Sequence, residues 1–413
     1  MPAAPQKATV IDLRAARADP DRFRAALARK GAGEAFDELL AADARWRELV
    51  PQVDELRGRQ KIQGKPTPEQ LEELKQVKAE LQRLEGELAE AETARDELLR
   101  QVPNPPDKSV PDGDDADEDA REERRWGDPP SLADPKDHLE LARFDMDRAS
   151  RLSGSRFGYW IGEVALLATA AYRLALDHLV KAGFVPVVPP VLVREEAMYG
   201  TGWFPTEESN IYGVAGEDLY LVGTSEVPVG GLHMGEILEE ELPLRYTAFS
   251  TCFRREAGAA GKDTRGMFRV HQFNKVEQFV FCRPEESWDE HERLIANSEE
   301  IAQALELPYR VVTLPAGDMS AASAKTYDLE VWFPAQERYR EAASISNTTD
   351  YQARRLQIRY RPNGGPVPVH TLNGTAVTDR YVLAILENRQ HEDGTVDVPE
   401  SLRAYGAPDT VSG

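Results

Sequence analysis

The segment FRREAGAAGKDTRGMFRVHQFNKVEQFVF, from Phe253 to Phe281, concentrates cations in a chain that is acidic overall. It carries arginines at positions 254, 255, 265 and 269 and lysines at 262 and 275. The chain of 413 residues has 72 acidic and 50 basic side chains, which gives a formal net charge of −22. Two strand-like runs flank a loop that contains glycine, so the segment predicts a strand–loop–strand hairpin.

The faces of this hairpin follow from the two-residue period of a strand. The period places Arg254 and Glu256 on one face of the first strand, and the odd positions from 269 to 277 on a common face of the second. Two arginines, two glutamates and Phe273 then line one surface. Because arginine suits phosphate oxygens, we predict a nucleotide site on an antiparallel sheet. Spacing alone leaves open cross-strand ion pairs on a solvated face.

Composition narrows the class of protein. The chain is 41% hydrophobic, enough for a sizeable core. Cys252 and Cys282 are too few for a disulfide framework or a four-thiolate zinc site, and we expect both to be buried strand residues. The seven histidines show no metal-ligand spacing. The start has no signal-peptide core, and the best apolar run, VALLATAA, is too short to cross a bilayer. We expect a cytoplasmic protein without membrane contact.

The N-terminal part predicts helices. Asp19-Pro20 is typical of a helix start, with Asp at the N-cap and Pro at the first helical position. Apolar residues then recur at spacings of three and four in two runs, Leu39–Leu56 and Leu74–Leu98. The intervening GKPTPEQ predicts a short turn, so the two helices should fold back antiparallel as an arm. Pro51 is expected to kink the first helix or delay its start.

The predicted tip of this arm is basic. The residues that we assign to contact with a polyanion are Arg57, Arg59, Lys61, Lys65, Lys75 and Lys78. A dimerisation coiled coil is the alternative function of the arm.

Residues 1–105 are therefore predicted to form an N-terminal domain whose arm covers about residues 39–100 and contacts a polyanion, which the family resemblance given below implies to be tRNA. A linker rich in Pro, Gly and Asp follows at 106–133, partly ordered at most. From 134 to 413, strands recur after hairpin-length gaps and helices come in blocks. This pattern favours an α+β fold with an antiparallel sheet flanked by helices over a Rossmann repeat, and the common phosphate-binding loops are absent.

Five blocks of the sequence resemble the seryl-tRNA synthetases, which are class II aminoacyl-tRNA synthetases of bacterial type. FRREAGAAGKDTRGMFRVHQFNKVE resembles class II motif 2, PVVPPVLV resembles motif 1, and TLNGTAVTDRYVLAILEN resembles motif 3. LVGTSEVP and KTYDLEVWFPAQERYREAASISNTTDYQARR resemble two further blocks of the family. The order of the blocks and the helical arm match as well. The resemblance implies a serine–tRNA ligase that forms seryl-adenylate from serine and ATP and transfers serine to the 3' end of tRNA.

The resemblance also assigns residues to roles. It implies ATP binding by Arg254, Glu256, Arg269, Phe273, Glu341, Ser344 and Arg380. It implies serine binding by Thr224, Glu226, Arg254, Glu277, Asn373 and Thr375. The catalytic residues would be Arg254, Arg269 and Arg380, and Mg²⁺ with ATP would be held by Glu341 and Ser344. Lys262 and Arg265, in the loop Gly258–Met267, would contact the tRNA acceptor end.

The implied partners are serine, tRNA-Ser with tRNA-Sec as a further candidate, and a second copy of the chain in a homodimer. Two alternatives remain open: a specialised paralogue that serves antibiotic resistance or biosynthesis, and a non-catalytic paralogue that binds tRNA or protein. The segment between Leu56 and Leu81 is shorter than the family pattern, and Ser320 stands where that pattern has glycine.

Overall fold

The computed structural model describes residues 11–61, 67–257 and 266–413. Their contacts divide the chain into two compact units, one between Thr9 and Pro105 and one from Pro106 to Gly413. The helices of the first unit are α1 (Leu13–Ala18), α2 (Pro20–Ala28), α3 (Gly33–Arg59) and α4 (Pro68–Gln101). Among the described residues, no helix combines the length and the apolar character that crossing a bilayer requires.

The first unit has the helices that the sequence predicts. The Asp19 side chain accepts a hydrogen bond from the backbone N–H of Arg22, and Pro20 opens α2. Thr67 and Gln70 form a capping box at the start of α4. The helices α3 and α4 pack along a seam of buried residues, Leu49, Val53, Leu81 and Leu84. The predicted pair of helices is therefore confirmed.

Pro51 does not delay the start of α3, so that part of the expectation is wrong, and a kink at Pro51 stays a prediction. The helix begins at Gly33 and continues through Pro51 to Arg59. A proline inside a helix removes one backbone hydrogen bond and costs about 3 kcal/mol. Pro51 itself is exposed, whereas Leu49 and Val53 on either side are buried against α4. This packing offsets the cost of the proline.

The second unit contains ten helices and one large sheet among its described residues. The helices are α5 (Ala116–Asp119), α6 (His138–Leu141), α7 (Met146–Ser153), α8 (Glu163–Lys181), α9 (Glu195–Thr201), α10 (Glu226–Gly230), α11 (Ser287–Ala304), α12 (Tyr351–Leu356), α13 (Asp379–Asn388) and α14 (Glu400–Arg403). The strands of the sheet are β1 (Arg121–Trp126), β2 (Val185–Val187), β3 (Leu244–Phe253), β4 (Gln272–Cys282), β5 (Tyr309–Thr313), β6 (Lys325–Phe333), β7 (Arg338–Asn347) and β8 (His370–Thr378).

The strands lie in the order β1-β5-β6-β7-β8-β4-β3-β2. All neighbours are antiparallel except β2 and β3, which are parallel. Short paired strands lie outside this sheet at Phe144–Asp145, Tyr159–Trp160, Leu192–Val193, Tyr212–Gly213, Tyr220–Leu221, Ile237–Leu238, Arg359–Tyr360, Val367–Pro368, Val396–Asp397 and Thr410–Val411. Strand β1 is an edge strand of the large sheet, although it falls in the segment that we predicted as a linker.

Helices α8, α11 and α13 pack on the sheet and form the main core. Strand β4 shows how the sheet separates this core from the polar cavity. Val276 and Val280 join the core, whereas Phe273, Lys275 and Glu277 line the cavity. This is the alternation that the two-residue period predicts for the second strand of the hairpin. Cys252 and Cys282 are buried strand residues, as expected.

Candidate active site

A cavity of about 420 Å³ opens beside strands β4, β7 and β8. Every residue to which the sequence analysis gives a role with ATP, serine or Mg²⁺ lines it: Thr224, Glu226, Arg254, Glu256, Arg269, Phe273, Glu277, Glu341, Ser344, Asn373, Thr375 and Arg380. These residues are spread over more than 150 positions of the chain, so the fold brings them together.

The hairpin places its charges differently from the prediction. Strand β3 ends at Phe253 and β4 begins at Gln272, so Arg254 and Glu256 do not share a strand face. The strand period fails there because the backbone leaves the sheet, and Glu256 has a left-handed φ of +52°. His271 instead fixes Arg254: the Arg254 N–H donates to the His271 carbonyl at 3.0 Å, and His271 Nδ1 lies 2.9 Å from the Arg254 carbonyl oxygen.

Three guanidinium groups, Arg254, Arg269 and Arg380, converge on one half of the cavity, and we call them the arginine cluster. Arg254 Nε donates to the Gly223 carbonyl at 3.1 Å, and its guanidinium lies 5.3 Å from the centre of the Phe273 ring. Arg269 forms an ion pair with Glu256. Arg380 donates to the carboxylate of Glu341 at 3.0 Å. The cluster therefore combines fixed cations with an aromatic face, which suits a nucleotide with phosphates.

Two acids lie beside this cluster, and their pKa values shift in opposite directions: that of Glu341 is lowered and that of Asp328 is raised. Partial desolvation in the cavity acts to raise the pKa of the Glu341 carboxyl, but the cations of Arg380, Arg254 and Arg269 together outweigh it and the pKa is lowered. Burial and the negative charge of Glu341 together raise the pKa of Asp328 well above its usual value. Asp328 is opposite Ser344 in the antiparallel pair of β6 and β7 and accepts a hydrogen bond from its side chain.

The side-chain oxygens of Glu341, Ser344 and Asp328 fit a divalent cation that binds together with phosphates. Asp328 is 8% exposed, and its Oδ1 accepts no hydrogen bond from any described residue. An acceptor left unpaired in a buried position is costly unless a ligand or water completes it. Among the described residues there is no group of three or more His, Cys, Asp or Glu side chains that could hold a metal ion alone. Glu341 and Ser344 could therefore supply only part of a shell, as in Mg²⁺ sites that share phosphate oxygens.

The other half of the cavity holds two acids, and we call Glu226 and Glu277 the carboxylate cluster. Glu277 is 2% exposed and forms an ion pair with Lys275. Lys275 Nζ donates to Thr224 Oγ1 at 2.6 Å, and Thr224 Oγ1 lies 3.4 Å from Glu277 Oε2. The charges of Lys275 and Glu277 are thus held together away from water, where each requires the other as its partner.

Glu226 is joined to two amide side chains. Gln352 Nε2 donates to Glu226 Oε1 at 2.7 Å, and Asn373 Nδ2 donates to the same oxygen at 2.9 Å. Burial and the charge of Glu277 nevertheless raise the pKa of Glu226 to about 7. Thr375 completes this half from β8, where it is opposite Glu277 on β4. Carboxylates beside hydroxyl and amide groups can bind a small ligand with an ammonium group and a hydroxyl.

Of the residues predicted for the arm tip, Arg57 and Arg59 lie on α3, Lys75 and Lys78 lie on α4, and Lys61 follows the end of α3. Three are ion-paired with acids: Arg57 with Glu85 at 2.9 Å, Arg59 with Glu73 at 3.1 Å, and Lys75 with Glu72 at 3.1 Å. Lys61 and Lys78 are exposed, and neither forms an ion pair with another described residue. The predictions for Lys65, Lys262 and Arg265 fall outside the described residues.

Sequence reasoning assigned no role to four residues that the structure places in or next to the cavity: Trp203, Lys275, Asp328 and Gln352. The strand period already placed Lys275 on the face of Glu277, so that signal was available. The other three come from a loop, from the neighbouring strand β6 and from helix α12. No local pattern links those segments to the hairpin.

Comparison with known proteins identifies the family. The model named Seryl-tRNA synthetase N-terminal domain matches residues 10–106, and the model named tRNA synthetase class II core domain (G, H, P, S and T) matches residues 212–389. A serine–tRNA ligase of Thermobifida fusca is 46% identical, and the match covers 97% of this chain and 99% of that protein. The chain belongs to the seryl-tRNA synthetase family. The prediction of an aminoacyl-tRNA synthetase with serine–tRNA ligase activity is thereby confirmed.

Solved structures agree on the fold. The seryl-tRNA synthetase of Pyrococcus horikoshii complexed with ATP is 40% identical and superposes with a TM-score of 0.91, covering 97% of this chain and 99% of that one. A cytoplasmic serine–tRNA ligase of Naegleria fowleri in complex with AMP is 33% identical and has a TM-score of 0.86, with 95% and 96% covered. The predicted class II fold with its antiparallel sheet and N-terminal helical arm is confirmed.

Proposed function

We propose that the arginine cluster binds ATP, that the carboxylate cluster binds serine, and that the cavity between them forms seryl-adenylate. The serine carboxylate attacks the α-phosphorus of ATP, a new carboxyl–phosphorus bond forms, and the bond to the pyrophosphate oxygen breaks. The observation that carries this proposal is that three arginines and the two carboxylates of Glu226 and Glu277 line one cavity. Positioning and electrostatics supply the acceleration, and no protein nucleophile is required.

On the ATP side, each proposed role follows from what the side chain can reach. Arg254 lies beside the Phe273 ring in the cavity and would neutralise the α-phosphate as charge builds there. Arg269 and Arg380 would hold the γ-phosphate and keep ATP bent. Phe273 would stack on adenine and Glu256 would accept from its amino group. Binding would require Arg269 and Arg380 to exchange part of their contact with Glu256 and Glu341 for phosphate.

Mg²⁺ would join the two parts of the ATP site through Glu341 and Ser344. The cation would neutralise phosphate charge when ATP is bound. The pKa of Glu341 is lowered beside the cations of Arg380, Arg254 and Arg269, so it supplies an ionised carboxylate for this purpose. Asp328 accepts from the side chain of Ser344, which leaves lone pairs of the Ser344 hydroxyl for a ligand.

On the serine side, Glu277 would accept from the ammonium group, and Thr375 with Asn373 would surround the hydroxyl. Thr224 and Glu226 would complete the pocket. A site that pairs with a substrate hydroxyl rejects the analogue without it by roughly 10⁴ or more, because its own polar groups are left unpaired. Threonine, which adds a methyl group, must be rejected by bulk.

In the second step, the terminal ribose hydroxyl of tRNA attacks the carbonyl carbon of the adenylate, and AMP leaves.

We propose that residues 1–105 bind tRNA-Ser, and tRNA-Sec where one exists, and that residues 134–413 carry out catalysis in the cytoplasm. Support comes from the separate compact unit between Thr9 and Pro105 and from the exposed Lys61 and Lys78. The charge-reversed double variant Lys61→Glu/Lys78→Glu should lower kcat/KM for tRNA several-fold and leave adenylation unchanged. Unchanged charging would contradict this role of the arm.

We also propose a homodimer that pairs through the motif 1 segment. Large apolar side chains are exposed on and beside edge strand β2: Val185 at 55%, Val188 at 95%, Leu166 at 55% and Phe249 at 37%. Apolar side chains grouped at a sheet edge are typical of an interface. Light scattering should give twice the chain mass of 46.1 kDa for the protein and a smaller mass for Val188→Asp. A monomeric parent protein would contradict the proposal.

The experiment that tests the proposed chemistry is ATP–pyrophosphate exchange without tRNA, run with serine, threonine, alanine, cysteine and glycine. We expect exchange with serine, far weaker exchange with threonine, and none above background with alanine or glycine. Exchange with a different amino acid would point to a specialised paralogue. An absence of exchange with all five would support a non-catalytic binding protein.

A further inference from the structure

Helix α12 contributes a glutamine that lies behind the carboxylate cluster. Gln352 is fully buried and does not line the cavity. Its Nε2 donates to the Thr201 carbonyl at 3.0 Å and to Glu226 Oε1 at 2.7 Å. Its Oε1 accepts from Thr371 Oγ1 at 2.9 Å. The amide thus links three separate segments to one acid of the proposed serine site.

The orientation of this amide is determined by its neighbours. The Thr201 carbonyl can only accept, so the nitrogen of Gln352 must face it. The same nitrogen then presents its second N–H to Glu226 Oε1. A flipped amide would set two oxygens against each other at both contacts. The Glu226 oxygen is therefore required to act as an acceptor, which favours its ionised form.

A second amide reinforces that requirement. Asn373 Nδ2 also donates to Glu226 Oε1, at 2.9 Å, so both donors meet on one oxygen. The charged groups that face Glu226 are Glu277 and Lys275, both on β4, and the indole of Trp203 is a further donor to it. Burial and the charge of Glu277 raise the pKa of Glu226 to about 7, and the hydrogen bonds from these donors act in the opposite direction.

We infer that Gln352 is a positioning residue for serine: it fixes the carboxylate of Glu226 as an ionised acceptor in the serine half of the cavity. This inference rests on the proposed function. Gln352 itself does not touch the substrate. Its contribution should appear in the KM for serine, and the KM for ATP should not change, because the arginine cluster has no bond to Gln352 among the described residues.

The test is Gln352→Glu, which keeps the size of the side chain and replaces its N–H donors with an acceptor. Serine-dependent exchange is measured from pH 6 to pH 8.5 at saturating ATP, and ATP-dependent exchange at saturating serine. At pH 8, two carboxylates face each other, and the KM for serine should rise by about tenfold or more. As the pH falls toward 6, the introduced carboxyl takes up a proton, donates to Glu226, and restores much of the serine binding.

A matched control is Gln303→Glu. Gln303 Nε2 donates to Tyr309 Oη at 2.7 Å, outside the cavity. This variant should leave both KM values and their pH dependence as in the parent protein. Gln352→Met provides a second variant without a new charge. It should raise the KM for serine at neutral pH and shift the pH at which serine binds upward, because Glu226 loses a donor.

The inference is overturned if Gln352→Glu and Gln352→Met leave the KM for serine unchanged, or raise the KM for serine and the KM for ATP in parallel with no recovery at low pH. The second result would indicate general loosening of the fold. A failure of the proposed function looks different, because the parent protein itself would then show no serine-dependent exchange.

Discussion

The arginine cluster and the carboxylate cluster line the same cavity, yet they differ in exposure and in the elements that carry them. Side chains of the first remain partly exposed: 28% for Arg269 and 22% for Arg380. In the second, the Glu277 side chain is 2% exposed and its ion-pair partner Lys275 is 7% exposed, whereas Glu226 is partly buried. The first cluster is carried by loops beyond strand ends and by the start of α13, whereas Glu277 of the second lies within β4 and Glu226 lies at the start of helix α10.

The difference fits what each half has to bind. Fixed cations with access to water can exchange a carboxylate partner for phosphate at modest cost, because exposed ion pairs contribute little to stability. A buried set of acids and one lysine is costly to build, and it discriminates because an unmatched ligand leaves buried polar groups unpaired. We expect the arginine cluster to accelerate adenylation. We expect the carboxylate cluster to select serine and to contribute to the stability of the fold.

The largest effect should come from Arg254→Ala, because we propose that Arg254 neutralises the α-phosphate at which the reaction takes place. Loss of its charge removes stabilisation of the α-phosphate in the transition state, and kcat for adenylation should fall by roughly 10³-fold. The measurement is single-turnover formation of seryl-adenylate. Thermal melting should be nearly unchanged, since among the described residues the Arg254 side chain makes one hydrogen bond, to the Gly223 carbonyl. Adenylation at a near-parental rate would remove Arg254 from the site.

The second prediction compares two carboxylate-to-amide changes in stability. Glu277→Gln leaves Lys275 as a buried cation without its ion pair, and the free energy of unfolding should fall by about 3 kcal/mol. Glu256→Gln disrupts the more exposed pair with Arg269 and should cost less than about 1 kcal/mol. Urea unfolding of both variants measures the difference. Equal losses would contradict the contrast between the clusters.

The third prediction concerns the cation. Asp328→Asn keeps the size of the side chain but weakens the acceptor that orients Ser344. The Mg²⁺ concentration for half-maximal exchange should rise by about tenfold, with near-parental exchange at saturating Mg²⁺. Binding of Mn²⁺ with ATP, followed by electron paramagnetic resonance, should weaken in the same variant. An unaltered Mn²⁺ affinity would separate Asp328 from the cation.

The smallest effect is a pH dependence confined to the serine half. The pKa of Glu226 is raised to about 7, so its carboxylate forms only as the pH rises through that value. The KM for serine should therefore fall several-fold between pH 6 and pH 8.

The raised pKa also means that ionisation of Glu226 opposes folding, so the contribution of Glu226 to stability is present near pH 4.5 and is lost toward pH 7. Glu226→Gln should flatten both profiles, and persistence of both in that variant would assign them to another group.

Much of the fold follows from the sequence because its signals are local. The cap at Asp19, the Thr67 restart and the apolar seam of the arm each act within a few residues. The strand period correctly placed Phe273, Lys275 and Glu277 on one face. It failed at Arg254 and Glu256, where the chain has already left the sheet and contact with His271 determines the geometry.

The site itself was predicted through the family resemblance, since its residues come from motifs far apart in the chain. What remained hidden was the support behind those residues. Gln352 and Asp328 reach the site through the packing of α12 and the register of β6 with β7, and neither segment carries a local sign of that contact. The continuity of α3 through Pro51 was missed for a similar reason, because packing against α4 outweighs the local cost.

The most direct measurement of the division between the clusters is a pair of exchange titrations, with serine and ATP varied in turn, on Arg269→Ala and Glu277→Gln. The two-cluster account predicts a crossed result. Arg269→Ala should raise the KM for ATP by at least about tenfold and leave the KM for serine within about twofold, and Glu277→Gln should do the reverse. If both variants raise the same KM, or each raises both equally, the two halves do not bind separate substrates and the account is wrong.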